Sequence, residues 1–137
     1  MDLNEIPLFA MLKGRLGHLG ERQRLISQNV ANSDTPGYTP GDLKPFTFQA
    51  KLQAAQASTT AQAVTQPGHM TSASQHRSPY KAVKTKDSET TLDGNSVVLE
   101  EEMLKMTEAR MNYDAAISFY QKSLAMLRLA SRSPGRG

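Results

Sequence analysis

The chain has no cysteine and no tryptophan among its 137 residues. The first absence excludes disulfides and thiolate metal sites. With hydrophobic residues at 38% and aromatics at 6%, there is too little apolar material for a large single core. No apolar run approaches the eighteen or so residues that a membrane-crossing helix needs. Met1-Asp2-Leu3-Asn4-Glu5 lacks the basic and apolar regions of a secretory signal, so any export is expected to proceed without cleavage of one. Enzymatic constellations are missing as well. There is no G-x-S-x-G and no phosphate-cradling glycine loop. The histidines are His18, His69 and His76; the last two stand in a Ser/Gln/Thr-rich stretch without a carboxylate beside them. No catalytic residue, cofactor site or metal site is expected. The net charge is +3, but the basic residues are dispersed from Lys13 to Arg136 and are not interleaved with aromatics, so no nucleic-acid partner is expected.

What is present lies at the two ends. Residues 7–32 are expected to form a helix, with Pro7 in its first turn, where a missing N–H costs nothing. Phe9, Leu12, Leu16, Leu19, Gln23, Ile26 and Val30 alternate spacings of three and four, a heptad seam with one polar member. Gly14, Gly17 and Gly20 sit inside it, each at about 1 kcal/mol relative to alanine. They serve either close helix–helix approach or pliability before assembly. Residues 96–131 repeat the pattern with Leu99, Met103, Met106, Arg110, Tyr113, Ile117, Tyr120, Leu124 and Leu127. Asn95 or Ser96 is the expected N-cap. Glu100, Glu101 and Glu102 crowd the first turns and Lys122, Arg128 and Arg132 the last, which suits the helix dipole. The glutamates are expected to be solvated or paired with another subunit.

Between the helices, residues 33–95 read as an extended or flexible connector, with only weak helical character around 50–56. It opens on Asn29-Val30-Ala31-Asn32-Ser33-Asp34-Thr35-Pro36-Gly37-Tyr38. Asn32, Ser33 and Asp34 compete for backbone hydrogen bonds and stop a helix. Pro36 pushes Thr35 out of the α region, and Pro36-Gly37 reads as a turn. Asn32 is expected to cap the helix end or fix the turn. Asn29, Thr35, Pro36, Gly37 and Tyr38 are expected to aim the connector toward neighbouring subunits. The fold class is therefore mainly α. The two terminal segments form one discontinuous domain, an antiparallel coiled-coil-like hairpin, with the connector outside it. At about 1.5 Å per residue the helices would be about 39 and 54 Å long, too thin for an isolated globule. A hairpin with residual apolar surface seeks neighbours, and a non-closing contact between copies builds a helical tube.

The N-terminal third, through Asn29, Ala31, Asn32, Thr35, Pro36, Gly37 and Tyr38, resembles the segment shared by the flagellar rod and hook axial proteins. Gly94-Asn95-Ser96-Val97 with Leu99-Glu100, Glu102-Met103, Lys105-Met106, Glu108, Tyr113 and Leu127-Arg128-Leu129-Ala130 is similar to the C-terminal segment of proximal rod subunits. His69 resembles a histidine that follows their first linker. Residues 49–66 have no counterpart, and Thr39-Pro40 departs from the basic residue usual after Gly-Tyr. The resemblance implies a structural subunit of the basal-body proximal rod in the periplasm. It implies synthesis in the cytoplasm, export by the flagellar type III apparatus, and polymerisation into a helical tube. The implied partners are further copies, the rod subunits FlgC, FlgF and FlgG, the rod-base protein FliE and the export apparatus. A small helical export chaperone or adaptor would use the same helices as a binding groove. A basic hairpin would bind nucleic acid with strong salt dependence. Neither accounts for the Asn-rich helix end followed by Thr-Pro-Gly-Tyr.

Overall fold

A computed structural model of the chain describes residues 6–47 and 79–132. In chain order these form a helix α1 (Pro7–Ala31), a short strand β1 (Gly41–Leu43), a second strand β2 (Ala82–Lys84) and a long helix α2 (Leu99–Ser131). Phe9 of α1 meets Tyr120 of α2, while Asn29 meets Glu102. The two helices therefore run antiparallel, and the described residues are mainly α.

α1 begins where proline permits. Pro7 stands at the start of the helix and Ile6 precedes it in extended conformation. It ends at Asn32, whose backbone N–H still reaches the carbonyls of Gln28 and Asn29. Phe9, Leu12, Leu19, Leu25 and Ile26 form its buried face. Burying a residue such as Ile26 contributes about 1.5–3 kcal/mol. Leu16, Gln23 and Val30 lie half-buried beside them.

On α2 the buried line differs from the expected seam. It runs through Glu102, Ala109 and Ala116, seven residues apart. Met106, Tyr113, Ile117, Tyr120, Leu124 and Leu127 flank it half-buried. Leu99, Met103 and Arg110 are exposed, Met103 by 54%. Alanine takes the line of closest approach because larger side chains would hold the backbones apart, so they pack to either side. Met103 turns outward because its neighbour Glu102 takes the inward position.

Both described ends of the connector are structured. β1 and β2 pair antiparallel, with Gly41 opposite Lys84 and Leu43 opposite Ala82, and β1 packs on α1. The connector residues 48–78, with Phe48, His69, His76 and the weakly helical 50–56, lie outside the described residues. The N-cap of α2 is Val98, not Asn95 or Ser96. Both of those are buried upstream in the loop, and the Val98 N–H donates to the Asp87 carboxylate at 2.9 Å.

Candidate functional site

The last turn of α1 positions Asn29 under the following chain. Its amide nitrogen donates to the Gly41 carbonyl at 2.8 Å and to Glu102 Oε2 at 3.1 Å. Its amide oxygen accepts from the Gly41 N–H at 2.9 Å and the Tyr38 hydroxyl at 3.2 Å. An asparagine side chain has two N–H donors and two lone pairs, so the amide is fully used. It grips both backbone groups of Gly41 as a strand partner would, and in the same stroke holds α2.

Asn32 closes the helix. Its Nδ2 donates to the Gln28 carbonyl at 2.8 Å, and its Oδ1 accepts from the Thr35 hydroxyl at 3.1 Å. The Tyr38 N–H returns to the Thr35 carbonyl at 3.2 Å, so Thr35-Pro36-Gly37-Tyr38 is a β-turn. Gly37 has φ +72°, the value the third residue of a type II turn requires. Thr35, Pro36 and Gly37 remain exposed.

The segment before α2 locks onto this turn. The Gly37 N–H donates to the Asp93 carbonyl at 2.9 Å, and the Ser96 N–H to the Tyr38 carbonyl at 2.9 Å. The Asn95 side chain donates to the carbonyls of Asn32 at 2.9 Å and Thr35 at 2.7 Å. Its oxygen accepts from the Val97 N–H at 2.8 Å. Gly94 has φ +85°, and a Cβ there would lie 3.3 Å from the Gly37 Cα. Two positive-φ glycines thus stand against each other: Gly94 is held by both its φ and the closeness of Gly37, whereas a Cβ on Gly37 would meet nothing within 4 Å and is disfavoured by its φ alone.

Beneath the turn lies a charged layer. Glu102 is completely buried, which corrects, for this residue, the expectation of a glutamate solvated or paired with another subunit; Glu100 stays exposed. Lys105 Nζ stands 3.2 Å from Glu102 Oε1 and 2.9 Å from Asp87 Oδ1. Burial pushes the Glu102 carboxyl above the ordinary range, with the Asn29 amide and Lys105 opposing. Burial also pushes Asp87 upward. There the Val98 N–H, Lys105 and a hydrogen bond from the Glu102 carboxyl outweigh it, and Asp87 lies below the ordinary range. Burying an ionised carboxylate is tolerable only with such partners.

Further along α1, the strands are pinned by other means. His18 Nε2 bonds the Lys44 carbonyl at 2.8 Å, and its ring meets Phe46 and Tyr80. The Tyr80 hydroxyl donates to the Gly14 carbonyl at 2.7 Å. A Cβ on Gly17 would lie 2.6 Å from that hydroxyl, so Gly17 admits an approach, of Tyr80 and not of the second helix. Nothing lies within 4 Å of a Cβ on Gly20. Arg22 pairs with Asp42 at 3.2 Å. Among the described residues, no group of three or more His, Asp or Glu is placed to hold a metal. No described helix is long and apolar enough to cross a membrane.

Sequence reasoning pointed to Asn29, Asn32, Thr35, Pro36, Gly37 and Tyr38, and these residues come together. It missed the partners Asn95, Gly94 and Glu102. The Glu102, Ala109, Ala116 spacing of seven was the available signal for a buried glutamate. Nothing local marks Asn95 as a clamp rather than a cap.

The site therefore interlocks the same two segments that carry the sequence resemblance. No family model matches the chain. The FlgB rod protein of Agrobacterium fabrum is 28% identical over 128 residues, which cover 92% of this chain and 93% of that protein. That of Bacillus subtilis is 29% identical over 106 residues, 77% and 78% of the two chains. That of Buchnera aphidicola is 24% identical over 120 residues, 85% and 88%. Over most of its length the chain is similar to these FlgB flagellar basal-body rod proteins, and the three matches together support that reading. The chain is a structural subunit of the basal-body rod and not an enzyme. Within the FlgB frame, the buried polar cluster is a fastening between two helices, and neither the chaperone nor the nucleic-acid reading is supported by these relatives.

Proposed function

We propose that the interlocked hairpin is the unit that polymerises, and that its exposed Thr35-Pro36-Gly37 turn aims the connector at neighbouring subunits. The neighbours are further copies of the chain and the rod subunits FlgC, FlgF and FlgG, with FliE at the rod base, joined in a helical tube. Leu12, Leu16, Leu19, Ile26 and Val30 of α1, with Met106, Tyr113, Ile117, Tyr120, Leu124 and Leu127 of α2, hold the hairpin together. Met103 faces outward and is available to a neighbour. Delivery is by the flagellar type III apparatus.

One observation carries this reading: Asn95 hydrogen-bonds the carbonyls of Asn32 and Thr35 across sequence separations of 63 and 60 residues. A fastening between such distant segments forms only once both are free to meet, which suits a chain that threads a channel and then folds at its destination. The test is the amount of labelled Asn95→Ala subunit in isolated basal bodies. Strong depletion, with export unchanged, is expected. Incorporation at the unsubstituted level would overturn the proposal.

A further inference from the structure

α2 exposes a second apolar stripe, apart from the buried line of Glu102, Ala109 and Ala116. Leu104, Met111, Phe119 and Met126 are each 51–71% exposed, and Glu108, Ala115 and Lys122 are exposed with them. Their spacings of four and three place all seven on one side of the helix. The stripe is symmetric about Ala115. Reflection through that residue exchanges Leu104 with Met126, Glu108 with Lys122, and Met111 with Phe119.

We infer that this stripe is a self-complementary seam through which two copies of the free chain pair antiparallel. In that arrangement Leu104 meets Met126 and Met111 meets Phe119, each twice. The two Ala115 residues meet on the two-fold axis, where a small side chain allows close approach. Glu108 faces Lys122 at both ends. A parallel pair would instead set Glu108 against Glu108 and Lys122 against Lys122, so the charges select the antiparallel register. The seam spans residues 104–126, three heptads, and the pairing is a reversible one. It is also an isologous contact, which closes on itself and cannot propagate. The pair therefore covers the apolar stripe of the unassembled subunit and must open before that face meets any partner in an extended polymer.

The test uses the purified full chain and does not depend on the rod reading. Sedimentation equilibrium should show a monomer–dimer equilibrium. Glu108→Lys and Lys122→Glu should each raise the dimer Kd by about tenfold, because each converts two attractive pairs into repulsive ones. The double exchange should restore it. The chain has no native cysteine, so single cysteines report the register directly. Under a mild oxidant Ala115→Cys should cross-link to itself. Leu104→Cys should not, since its counterpart lies about 33 Å away at about 1.5 Å per residue. Leu104→Cys mixed with Met126→Cys should cross-link. A monomer up to about 1 mM, the range of weak association, would overturn the inference. So would self-cross-linking of Leu104→Cys at the rate of Ala115→Cys, or a double exchange that fails to restore pairing.

Discussion

Where α1 stops and α2 starts, the contact between them is polar and buried. Asn29, Asn95 and Glu102 are 1%, 2% and 0% exposed, and every amide hydrogen of the two asparagines has a named acceptor. At the other end, Phe9 meets Tyr120 edge to face, with ring centroids 5.5 Å apart. From there α2 continues to Ser131 with Met126 and Leu129 exposed. Apolar contact is non-directional and fixes proximity. Hydrogen bonds between buried groups fix angle and register, because any other arrangement strands a donor or acceptor. One end of the hairpin thus sets how the connector leaves, and the other keeps the helices together.

The largest expected effect comes from removing the shared member of the polar end. Asn29→Leu leaves Glu102 Oε2, both backbone groups of Gly41 and the Tyr38 hydroxyl without their partner. The loss should be about 3–5 kcal/mol, as for breaking a buried charged network, read from the urea unfolding midpoint. A loss under about 1 kcal/mol, the size of an ordinary surface change, would mean that the polar end does not differ from the rest of the seam.

Phe9→Ala attacks the apolar end and should cost somewhat less, about 2–3 kcal/mol, because the site can collapse at a helix terminus. The distinguishing measurement is amide exchange. Protection of the Gly37, Gly41 and Ser96 N–H groups should persist in this variant and vanish in Asn29→Leu. Equal loss of protection in both would erase the distinction between the two ends.

The apolar end was largely legible in the sequence, because a heptad spacing states which residues share a helix face. Phe9, Leu12, Leu19 and Ile26 follow from it directly. The same rule misplaced Met103, since it weighs hydrophobicity and cannot see that Asn29 and Lys105 supply partners for a buried glutamate. The polar end was half legible. Asn32, Pro36 and Gly37 act on their immediate neighbours, and local turn chemistry describes them. Asn95 acts across some sixty residues, and its local preference for capping concealed this. The β1–β2 pair, three residues per strand, is too short to show a period.

Gly37→Val separates geometry from stability. The positive φ costs a β-branched residue on the order of 1–3 kcal/mol, so the helices and expression should survive. The direction of the connector should not, and the variant should be missing from isolated basal bodies. Gly94→Ala should behave likewise, since its Cβ would press on the Gly37 Cα. Normal amounts of either variant in basal bodies would reduce the turn to a helix stop.

The smallest effect concerns pH, and it sharpens the account of the charged layer. Glu102 titrates above its ordinary value in the folded chain, chiefly through burial. Its contribution to stability is therefore full below the unfolded value, near about 4.3, and is lost as pH rises through the folded value. Asp87 works in the opposite sense. Its folded value is lowered by the Val98 N–H and Lys105 against the pull of burial, so its contribution is present above about 3.9 and is lost on acidification. Lys105 is raised by its two carboxylate partners against burial, which affects stability only in alkali. Between about pH 4.5 and neutrality, a window bounded by ordinary carboxyl values, the slope due to this layer belongs to Glu102, and stability should fall as pH rises. Glu102→Gln keeps an oxygen for the Asn29 amide and an N–H for Asp87, as the protonated carboxyl does, but it cannot titrate. Urea midpoints measured across that window should decline in the native chain and decline less in Glu102→Gln. Parallel slopes would mean that Lys105 and Asn29 already hold Glu102 ionised throughout, and that the layer is a permanent ion cluster instead of a titrating one.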